Sequence, residues 1–373
     1  LLLESDDKYG RYAWEVLSNS LCYAADLVPE VNESLVAIDD AMKLGYNWIQ
    51  GPFEMIDSIG VNNFIERLEK ENRSIPKILH VARNKSFYRI ENNKLQYLLA
   101  TGKYENLKRE EGTRRFSEER RTKKPLFSNK VASYFEINDD IGMVEFHSKA
   151  NALDGESMKL LSDAIDHSEI NHRGMVIHND ASHFSCGVNL ERISDFIEVH
   201  DWDGLDAFLE HFQKTVKKMK YSRIPVVSAP SGLSIGGGFE VVLHTDASIY
   251  HANSVTGLVE SLVGVVPGGG GVKEILYRWF DIKSNETEAA WKTFMNIGYG
   301  KTAQSPLQGQ ELAMFIEGRD EFVMNRDRLL DAAIIKVDHL KNNYSPTYRG
   351  ELSMPGRDIW QKMKEWLMDA HKK

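Results

Sequence analysis

Three consecutive glycines, from Gly236 to Gly238, lie between a segment typical of a buried strand and a segment typical of a helix. The apolar residues 225–229 form the strand-like segment, and Phe239 begins the helical one. Glycine lets the backbone approach a neighbour or a ligand at a distance that a Cβ would prevent. A strand, a tight turn and a helix in this order are typical of domains in which helices cover a sheet. This part of the chain is therefore predicted to be α/β.

The same alternation extends over residues 129–340. Residues 131–137 and 142–147 predict a hairpin, and residues 175–178 predict a buried strand. Apolar side chains recur at helical spacing between Leu205 and Met219, which predicts a strongly amphipathic helix. We expect one α/β domain over 129–340 and a C-terminal tail over 341–373.

The N-terminal region, residues 1–75, has a helical pattern instead. Gly45 and Gly60 stand where helices are expected to end, and Gly51-Pro52 stands where one is expected to begin, because proline suits the first helical position. The sequence predicts four helices and a small all-helical domain.

Residues 76–128 are predicted to be a linker with short strands. Two strand-like segments, 86–90 and 95–99, flank a plausible hairpin turn at residues 91–93. A stretch of mixed charge follows over 108–124. It is interpreted either as a solvated linker or as a basic patch for a phosphate-bearing ligand or partner.

Composition excludes several classes of protein. The chain has 373 residues and a net charge of −9, which argues against a nucleic-acid partner and suits about two domains. We expect no membrane span, since no run approaches the roughly 18 apolar residues that a span needs. Cys22 and Cys186 are the only cysteines, too few for a disulfide framework or a zinc site, so a reducing, cytoplasmic location is expected.

The first residues, Leu1 to Asp7, lack a starting Met and are not a signal peptide, which suggests a fragment or a processed product.

The glycine turn carries the residues best suited to chemistry. Backbone N–H groups near Gly237 are predicted to hold a developing oxyanion, and Glu240 follows one helical turn later, where it can move a proton. A second loop, residues 182–190, follows a strand and offers another backbone N–H at Cys186-Gly187. Glu260 lies in an apolar run and is either an exposed helix residue or a partly buried acid with a raised pKa.

Other chemistries fit the sequence less well. Residues 232–236 match G-x-S-x-G, the nucleophile elbow of serine hydrolases, with Ser234 as nucleophile, but only His339 and His371 remain as partners. The glycines at 268–271 lack the Lys of a phosphate loop. No motif pairs Cys186 with a base that would make it a nucleophile.

Residues 129–335 resemble the crotonase (enoyl-CoA hydratase/isomerase) superfamily. The resemblance rests on Asn151-Ala152-Leu153, on residues 184–190, on residues 235–240, and on Gly257 to Glu260 followed by residues 267–270. It implies the α/β crotonase fold, a spiral of ββα units similar to ClpP. The resemblance also assigns roles at the site: Glu240 and Glu260 as catalytic acids and bases, the backbone N–H groups of Cys186 and Gly237 as oxyanion hole, and Lys149, Ala150, Gly187, Gly236 and Gly268 as substrate-binding residues, with no metal.

The sequence departs from the family pattern at three places. Hydratases commonly have Ala at the position of Cys186 and Asp at that of Asn189. They commonly have Gln-Pro where Leu258-Val259 precedes the second glutamate, which affects the placement of Glu260.

The N-terminal helices resemble the C-terminal domain of 3-hydroxyacyl-CoA dehydrogenases, through Asp39 to Met42 and Gly51 to Asp57. The order of the two domains resembles bacterial β-oxidation fusion enzymes. No NAD-binding fingerprint is present, so NAD is expected only in a missing domain, and no cofactor in this fragment.

The resemblance implies an enoyl-CoA hydratase that acts on an acyl-CoA thioester as a homo-oligomer. The alternatives are a 3-2-enoyl-CoA isomerase using Glu260, a serine hydrolase using Ser234, and an inert acyl-CoA-binding module. Keeping both Glu240 and Glu260 favours the hydratase.

Overall fold

The computed structural model describes residues 2–46 and 48–370, and the chain divides into two compact units. The first unit extends to Arg109 and includes Glu118–Thr122. The second contains Glu110–Ser117 and the chain from Lys123 onwards. The predicted linker over 76–128 is thus divided between the units, and most of it belongs to the first.

The first unit is built mainly from helices, as predicted. These are a short 3-10 helix, Leu2–Glu4, and α1 (Lys8–Asp26), α2 (Leu35–Tyr46), α3 (Pro52–Ile59), α4 (Val61–Lys70) and α5 (Lys77–Ala82). Asp7 caps α1 by accepting hydrogen bonds from the N–H groups of Tyr9 and Gly10. Gly51 precedes Pro52 at the start of α3, as expected, whereas α2 continues through Gly45 to Tyr46.

A three-stranded antiparallel sheet completes the first unit: β1 (Tyr88–Glu91), β2 (Lys94–Leu98) and β3 (Tyr104–Asn106). Asn92 and Asn93 both have positive φ, the conformation of a two-residue hairpin turn, so the predicted hairpin is confirmed. Phe87 and Leu98 are fully buried in the same apolar cluster as the helices. The sheet is therefore part of the core of this unit.

The second unit is built on a seven-stranded mixed sheet. Its strands are β4 (Phe127–Ser128), β5 (Ala132–Asn138), β6 (Ile141–Phe146), β7 (Gly174–Ile177), β8 (Val226–Ser228), β10 (Ala247–His251) and β13 (Glu321–Val323). The order across the sheet is β13-β10-β8-β7-β6-β5-β4. β5 and β6 form the predicted antiparallel hairpin, and β6, β7, β8, β10 and β13 run parallel.

A second, smaller sheet is decisive for the site. It contains β9 (Leu233–Ile235), β11 (Val255–Gly257) and β12 (Thr302–Ala303), in the order β12-β11-β9. The sequence indicated only a turn between β8 and the following helix, and the structure inserts β9 there.

Helices cover both faces of the large sheet, with α7 and α9 on one face and α14 on the other. The helices from residue 116 onwards are α6 (Phe116–Glu119), α7 (Gly155–Asn171), α8 (Leu190–Glu198), α9 (Trp202–Lys220), α10 (Gly237–Leu243), α11 (Gly271–Lys283), α12 (Glu286–Gly298), α13 (Pro306–Glu311), α14 (Leu329–Leu340) and α15 (Gly356–Ala370). Short 3-10 helices lie at Lys149–Asn151, Glu260–Val263 and Arg326–Arg328. Met175 and Ile177 of β7 join the core with α7 and α9, while Val176 joins the core with α14, because successive strand residues face opposite sides.

Charged residues between 108 and 124 form ion pairs within the units. In the first unit Arg109 pairs with Asp40 and Glu118, and in the second Arg115 pairs with Asp327. These two arginines are used in ion pairs, and the choice between a solvated linker and a basic patch for the stretch as a whole stays a prediction.

Candidate active site

The turn from β9 into α10 forms one wall of the site. Gly236 has φ +54 and ψ −131, a conformation that favours glycine, and its N–H donates to the carbonyl of Gly257 on β11 at 2.9 Å. Gly237 is the first residue of α10, where a backbone N–H has no partner within the helix. A Cβ on Gly237 would lie 2.8 Å from Cγ2 of Val188, so the neighbouring loop approaches closely.

The loop with Cys186 and Gly187 forms the facing wall. Ser185 pairs with Ser234 of β9 as a parallel bridge, which brings the two predicted oxyanion segments side by side. A Cβ on Gly187 would lie 3.5 Å from the nitrogen of Gly237 and 3.1 Å from the carbonyl oxygen of Ile235. Only glycine leaves a space there.

The N–H of Cys186 is already used in this structure. It donates to the carbonyl oxygen of Ala150 at 3.1 Å, and Ala150 holds a left-handed conformation with φ +54. The sequence did not anticipate this hydrogen bond. A ligand that accepts from Cys186 must therefore take the place of the Ala150 carbonyl.

Glu240 is buried in α10, three residues after Gly237. Its Oε1 accepts hydrogen bonds from the N–H groups of Gly269 and Gly271, both at 2.8 Å. Burial, together with the nearby charge of Glu260, raises the pKa of Glu240 to about 7, although both hydrogen bonds favour the ionised form. The carboxyl is thus prepared to gain or lose a proton near neutral pH.

Glu260 begins the 3-10 helix after β11 and is partly buried. Its Oε1 lies 3.4 Å from the position that a Cβ on Gly236 would occupy, so it faces the glycine turn. Its Oε2 is buried without a hydrogen-bond partner among the described residues. Burial raises its pKa. Of the two interpretations left open by the sequence, the partly buried acid is confirmed.

Helix α9 and the glycine loop Gly268–Gly271 close the site around Glu240. A Cβ on Gly269 would lie 2.4 Å from the ring of Phe212 and 2.5 Å from Oε2 of Glu240. Gln213 donates its side-chain N–H to the carbonyl of Gly268 at 2.6 Å. Phe212 was predicted only as part of one face of an amphipathic helix, and its spacing alone does not indicate what it contacts. Gln213 was not anticipated.

The remaining predicted residues have less specific positions. Lys149 and Ala150 are exposed in the turn Lys149–Asn151, and their role in substrate binding stays a prediction. Asn189 caps α8 by accepting from the N–H of Glu191 at 3.0 Å, so an amide serves where the family commonly has a carboxylate.

The serine hydrolase interpretation is not supported by the structure. Ser234 lies inside β9 rather than at a turn, its side chain is fully buried, and its Oγ has no hydrogen-bond partner among the described residues. His339 lies on α14, and His371 lies outside the described residues. Burial raises the pKa of the Cys186 thiol, which keeps it protonated and argues against a nucleophilic role.

Three residues beneath the glycine loop were not anticipated as part of the site: Lys220, His244 and Glu274. His244 follows Glu240 by four residues, which places it on the same helical face, and that spacing is the only sequence indication of its position. Glu274 and Lys220 lie on different helices, so their pairing could not be read from spacing.

The described residues contain neither a cluster of side chains suited to a metal ion nor a helix long and apolar enough to cross a membrane.

Comparison with known proteins gives a family match for part of the chain. A family model described as enoyl-CoA hydratase/isomerase matches residues 136–284, which include the glycine turn and both glutamates of the site.

Named relatives extend the similarity. "Probable 3-hydroxyacyl-CoA dehydrogenase" of Bacillus subtilis is 34% identical over 359 residues, covering 95% of this chain and 45% of the relative. "Putative fatty acid oxidation complex trifunctional enzyme" of Rickettsia felis is 29% identical over 280 residues, covering 74% of this chain and 36% of the relative. The chain spans less than half the length of these curated relatives.

Solved structures are similar to part of the chain. An enoyl-CoA hydratase from Polaromonas sp. JS666 is 20% identical with a TM-score of 0.48, and covers 55% of this chain and 76% of its own. One from Thermoplasma volcanium is 22% identical with a TM-score of 0.48, and covers 58% of this chain and 80% of its own.

Proposed function

We propose that this chain adds water across trans-2-enoyl-CoA to give 3-hydroxyacyl-CoA in fatty-acid β-oxidation, since residues 136–284 match the enoyl-CoA hydratase/isomerase family model. One observation carries the choice of hydration: two acids lie close enough to interact, because the charge of Glu260, which faces the turn Gly236–Gly238, raises the pKa of Glu240. Addition of water needs one group to accept a proton and another to donate one.

The substrate carbonyl is proposed to lie between the N–H groups of Cys186 and Gly237. Each donor contributes roughly 3 kcal/mol to the transition state if it meets the developing oxyanion. The Cys186 N–H first leaves the carbonyl of Ala150, so substrate binding and formation of the oxyanion hole are coupled.

Glu240 and Glu260 are proposed to hold the water between them. One carboxylate takes a proton from water as its oxygen bonds to the β-carbon, and the other carboxyl gives a proton to the α-carbon as the enolate collapses. The pair exchanges protonation states in each turnover. A pKa of about 7 for Glu240 suits either task, since a catalytic group works best with a pKa near the operating pH.

An isomerase that moves a 3-enoyl double bond to the 2-position is the second candidate. The observation in its favour is that Oε2 of Glu260 is buried without a hydrogen bond from any residue the structure describes, while Glu240 accepts two. A single mobile proton carrier at Glu260 is sufficient for isomerisation.

The deciding experiment follows the ultraviolet absorbance of a short trans-2-enoyl-CoA with the unmodified chain, Glu240→Gln and Glu260→Gln. For a hydratase, we expect turnover by the unmodified chain and a large loss in both variants. Ser234→Ala should keep activity, unless the hydroxyl has a chemical role. Isomerisation of a 3-enoyl-CoA that survives in Glu240→Gln, with no hydration by the unmodified chain, would instead identify an isomerase.

We also propose a setting for this activity. Oxidation of the 3-hydroxyacyl-CoA product is proposed to need an NAD-binding domain beyond these residues, as part of a multifunctional protein, while hydration itself needs no cofactor. The relative of Bacillus subtilis, named as a 3-hydroxyacyl-CoA dehydrogenase and aligned over 95% of this chain, supports this. A cytoplasmic homo-oligomer remains our expectation.

A further inference from the structure

The side chains of Lys220, His244 and Glu274 form a largely buried cluster, which packs against the glycine loop Gly268–Gly271 through the ring of His244. We propose that this cluster is a positioning network that keeps the N–H groups of the loop on the carboxyl of Glu240. The expected change in the rate of hydration rests on the proposed function. The expected change in the pKa of Glu240 rests on the structure alone.

The loop determines how easily Glu240 ionises. Both hydrogen bonds to its carboxyl come from this loop, from Gly269 and Gly271, and both fall on Oε1. Hydrogen bonds to the charged form of an acid favour that form. A small displacement of the loop therefore changes the proton affinity of Glu240.

Gly270, between the two donors, is held from two sides. Its carbonyl accepts from the N–H of Glu274 at 3.1 Å, as the first hydrogen bond of α11. Its φ is +101, and a Cβ there would lie 3.1 Å from Cε1 and Nε2 of His244, so the imidazole packs directly on it. His244 in turn donates from Nδ1 to the backbone carbonyl of Glu240 at 2.7 Å. The ring therefore connects Glu240 to the loop that binds its carboxyl.

Glu274 lies beside the imidazole of His244 and forms an ion pair with Lys220. Glu274 is 2% exposed, contacts the ammonium of Lys220, and has Oε1 at 3.2 Å from Nζ of Lys273 and 3.7 Å from Nε2 of His244. A buried ion pair is weak evidence for stability, because apolar residues of similar size often replace one at no loss. Because this ion pair lies next to the loop that binds the carboxyl of Glu240, we assign it the role of positioning that loop.

The charged groups around Glu240 come from four elements. Glu260 follows β11, His244 is the C-cap of α10, Glu274 and Lys273 lie on α11, and Lys220 lies on α9. Burial lowers the pKa of His244 to about 4, so the ring is neutral at pH 7 and its replacement by a neutral residue changes no charge. The neighbouring His244, with Lys220 and Lys273, outweighs the burial of Glu274 and lowers its pKa.

The test compares the double variant Lys220→Met/Glu274→Met with His244→Phe. The first removes two opposite charges together, and the second removes the Nδ1 donor without a charge change. The pKa of Glu240 is measured directly by NMR titration of glutamate labelled with ¹³C at the carboxyl, with Glu240→Gln identifying its resonance. We expect a rise of about 0.5 to 1 unit in both variants, because the loop no longer holds the ionised form as well.

Lys218→Met/Asp166→Met is the matched control. Lys218 lies on the same helix as Lys220 and pairs with Asp166 at 2.6 Å, away from the glycine loop. This variant should leave the pKa of Glu240 unchanged. Circular dichroism and thermal unfolding establish that each variant is folded, and His244→Phe remains as the test if the double variant does not fold.

Kinetics supply the second readout. We expect kcat for hydration to fall about tenfold in both test variants with little change in KM, since a positioning residue acts in the transition state. An unchanged pKa of Glu240 in a folded test variant would overturn the proposal. If the unmodified chain does not hydrate enoyl-CoA, the proposed function fails, while the titration still decides whether the network holds Glu240.

Discussion

Two pairs of buried or half-buried carboxyl groups, one pair in each unit, differ in how their oxygens are used. In the first unit Asp39 accepts from the N–H of Phe53 and from the hydroxyl of Tyr88, one hydrogen bond on each oxygen. Asp57 likewise uses each oxygen once, for the N–H groups of Phe87 and Tyr88. In the second unit both hydrogen bonds to Glu240 fall on Oε1, and Oε2 of Glu260 has none among the described residues.

The pKa values alone do not separate the two pairs. Burial raises the pKa of Asp39 to about 7, that of Asp57 to about 6 and that of Glu240 to about 7. A perturbed pKa identifies a candidate site, but structural networks perturb pKa values as well. The availability of an oxygen distinguishes an acid that connects backbone segments from an acid that can act on a ligand.

The largest expected difference is in turnover. Glu260→Gln removes a proton carrier and should lower hydration about a thousandfold, within the range of general acid–base catalysis. Asp39→Asn should leave turnover per folded molecule unchanged. Both are measured with a short enoyl-CoA. A comparable loss in Asp39→Asn would show that the comparison between the pairs is mistaken.

The stability of the first unit should fall in Asp39→Asn, although turnover is unchanged. Asp39→Asn places an amide N–H₂ against a donor in a fully buried site and should destabilise the first unit by about 1 to 3 kcal/mol. Urea unfolding followed by circular dichroism measures the change. The exposed Asp26, at the end of α1, is the matched control, and Asp26→Asn should stay within about 0.5 kcal/mol of the unmodified chain.

Stability should also depend on pH through the same group. Asp39 has a folded pKa of about 7, above its value of 3.8 in the unfolded chain, so the folded state binds its proton more tightly. The contribution of Asp39 to the free energy of unfolding is complete below pH 3.8 and is lost as the pH rises through about 7. Urea midpoints should therefore fall between pH 5 and pH 8, and fall less in Asp39→Asn. An equal fall in that variant would assign the dependence to other groups.

The smallest effect is expected for Tyr88→Phe. This change removes one hydrogen bond to Asp39 and keeps the ring, so it should cost the first unit about 1 kcal/mol. The hydroxyl also favours the ionised form of Asp39, and its loss should raise the pKa of that group further. Thermal unfolding at pH 5 and pH 8 measures both effects, and a larger loss at pH 8 is expected.

Local features of the fold were predictable because they depend on neighbouring residues. The hairpin at Asn92 and Asn93, the start of α3 at Gly51-Pro52 and the β5–β6 hairpin were all expected from turn and cap chemistry. The strand β9 was not, because its three residues pair only with segments far along the chain. The division of residues 76–128 between the units has the same origin, since burial of Phe87 and Leu98 depends on distant helices.

The sequence by itself determined which groups are present at the site and how they are spaced: the glycines at 236–238, a glutamate three residues after Gly237, and a second glutamate twenty residues later. Only the tertiary structure decided that Glu240 is held by Gly269 and Gly271, and that the Cys186 N–H is taken by Ala150. The physical reason is that these hydrogen bonds join segments that come together only when the two sheets and their helices pack. Spacing along the chain sets local geometry, and packing sets which distant donor reaches which acceptor.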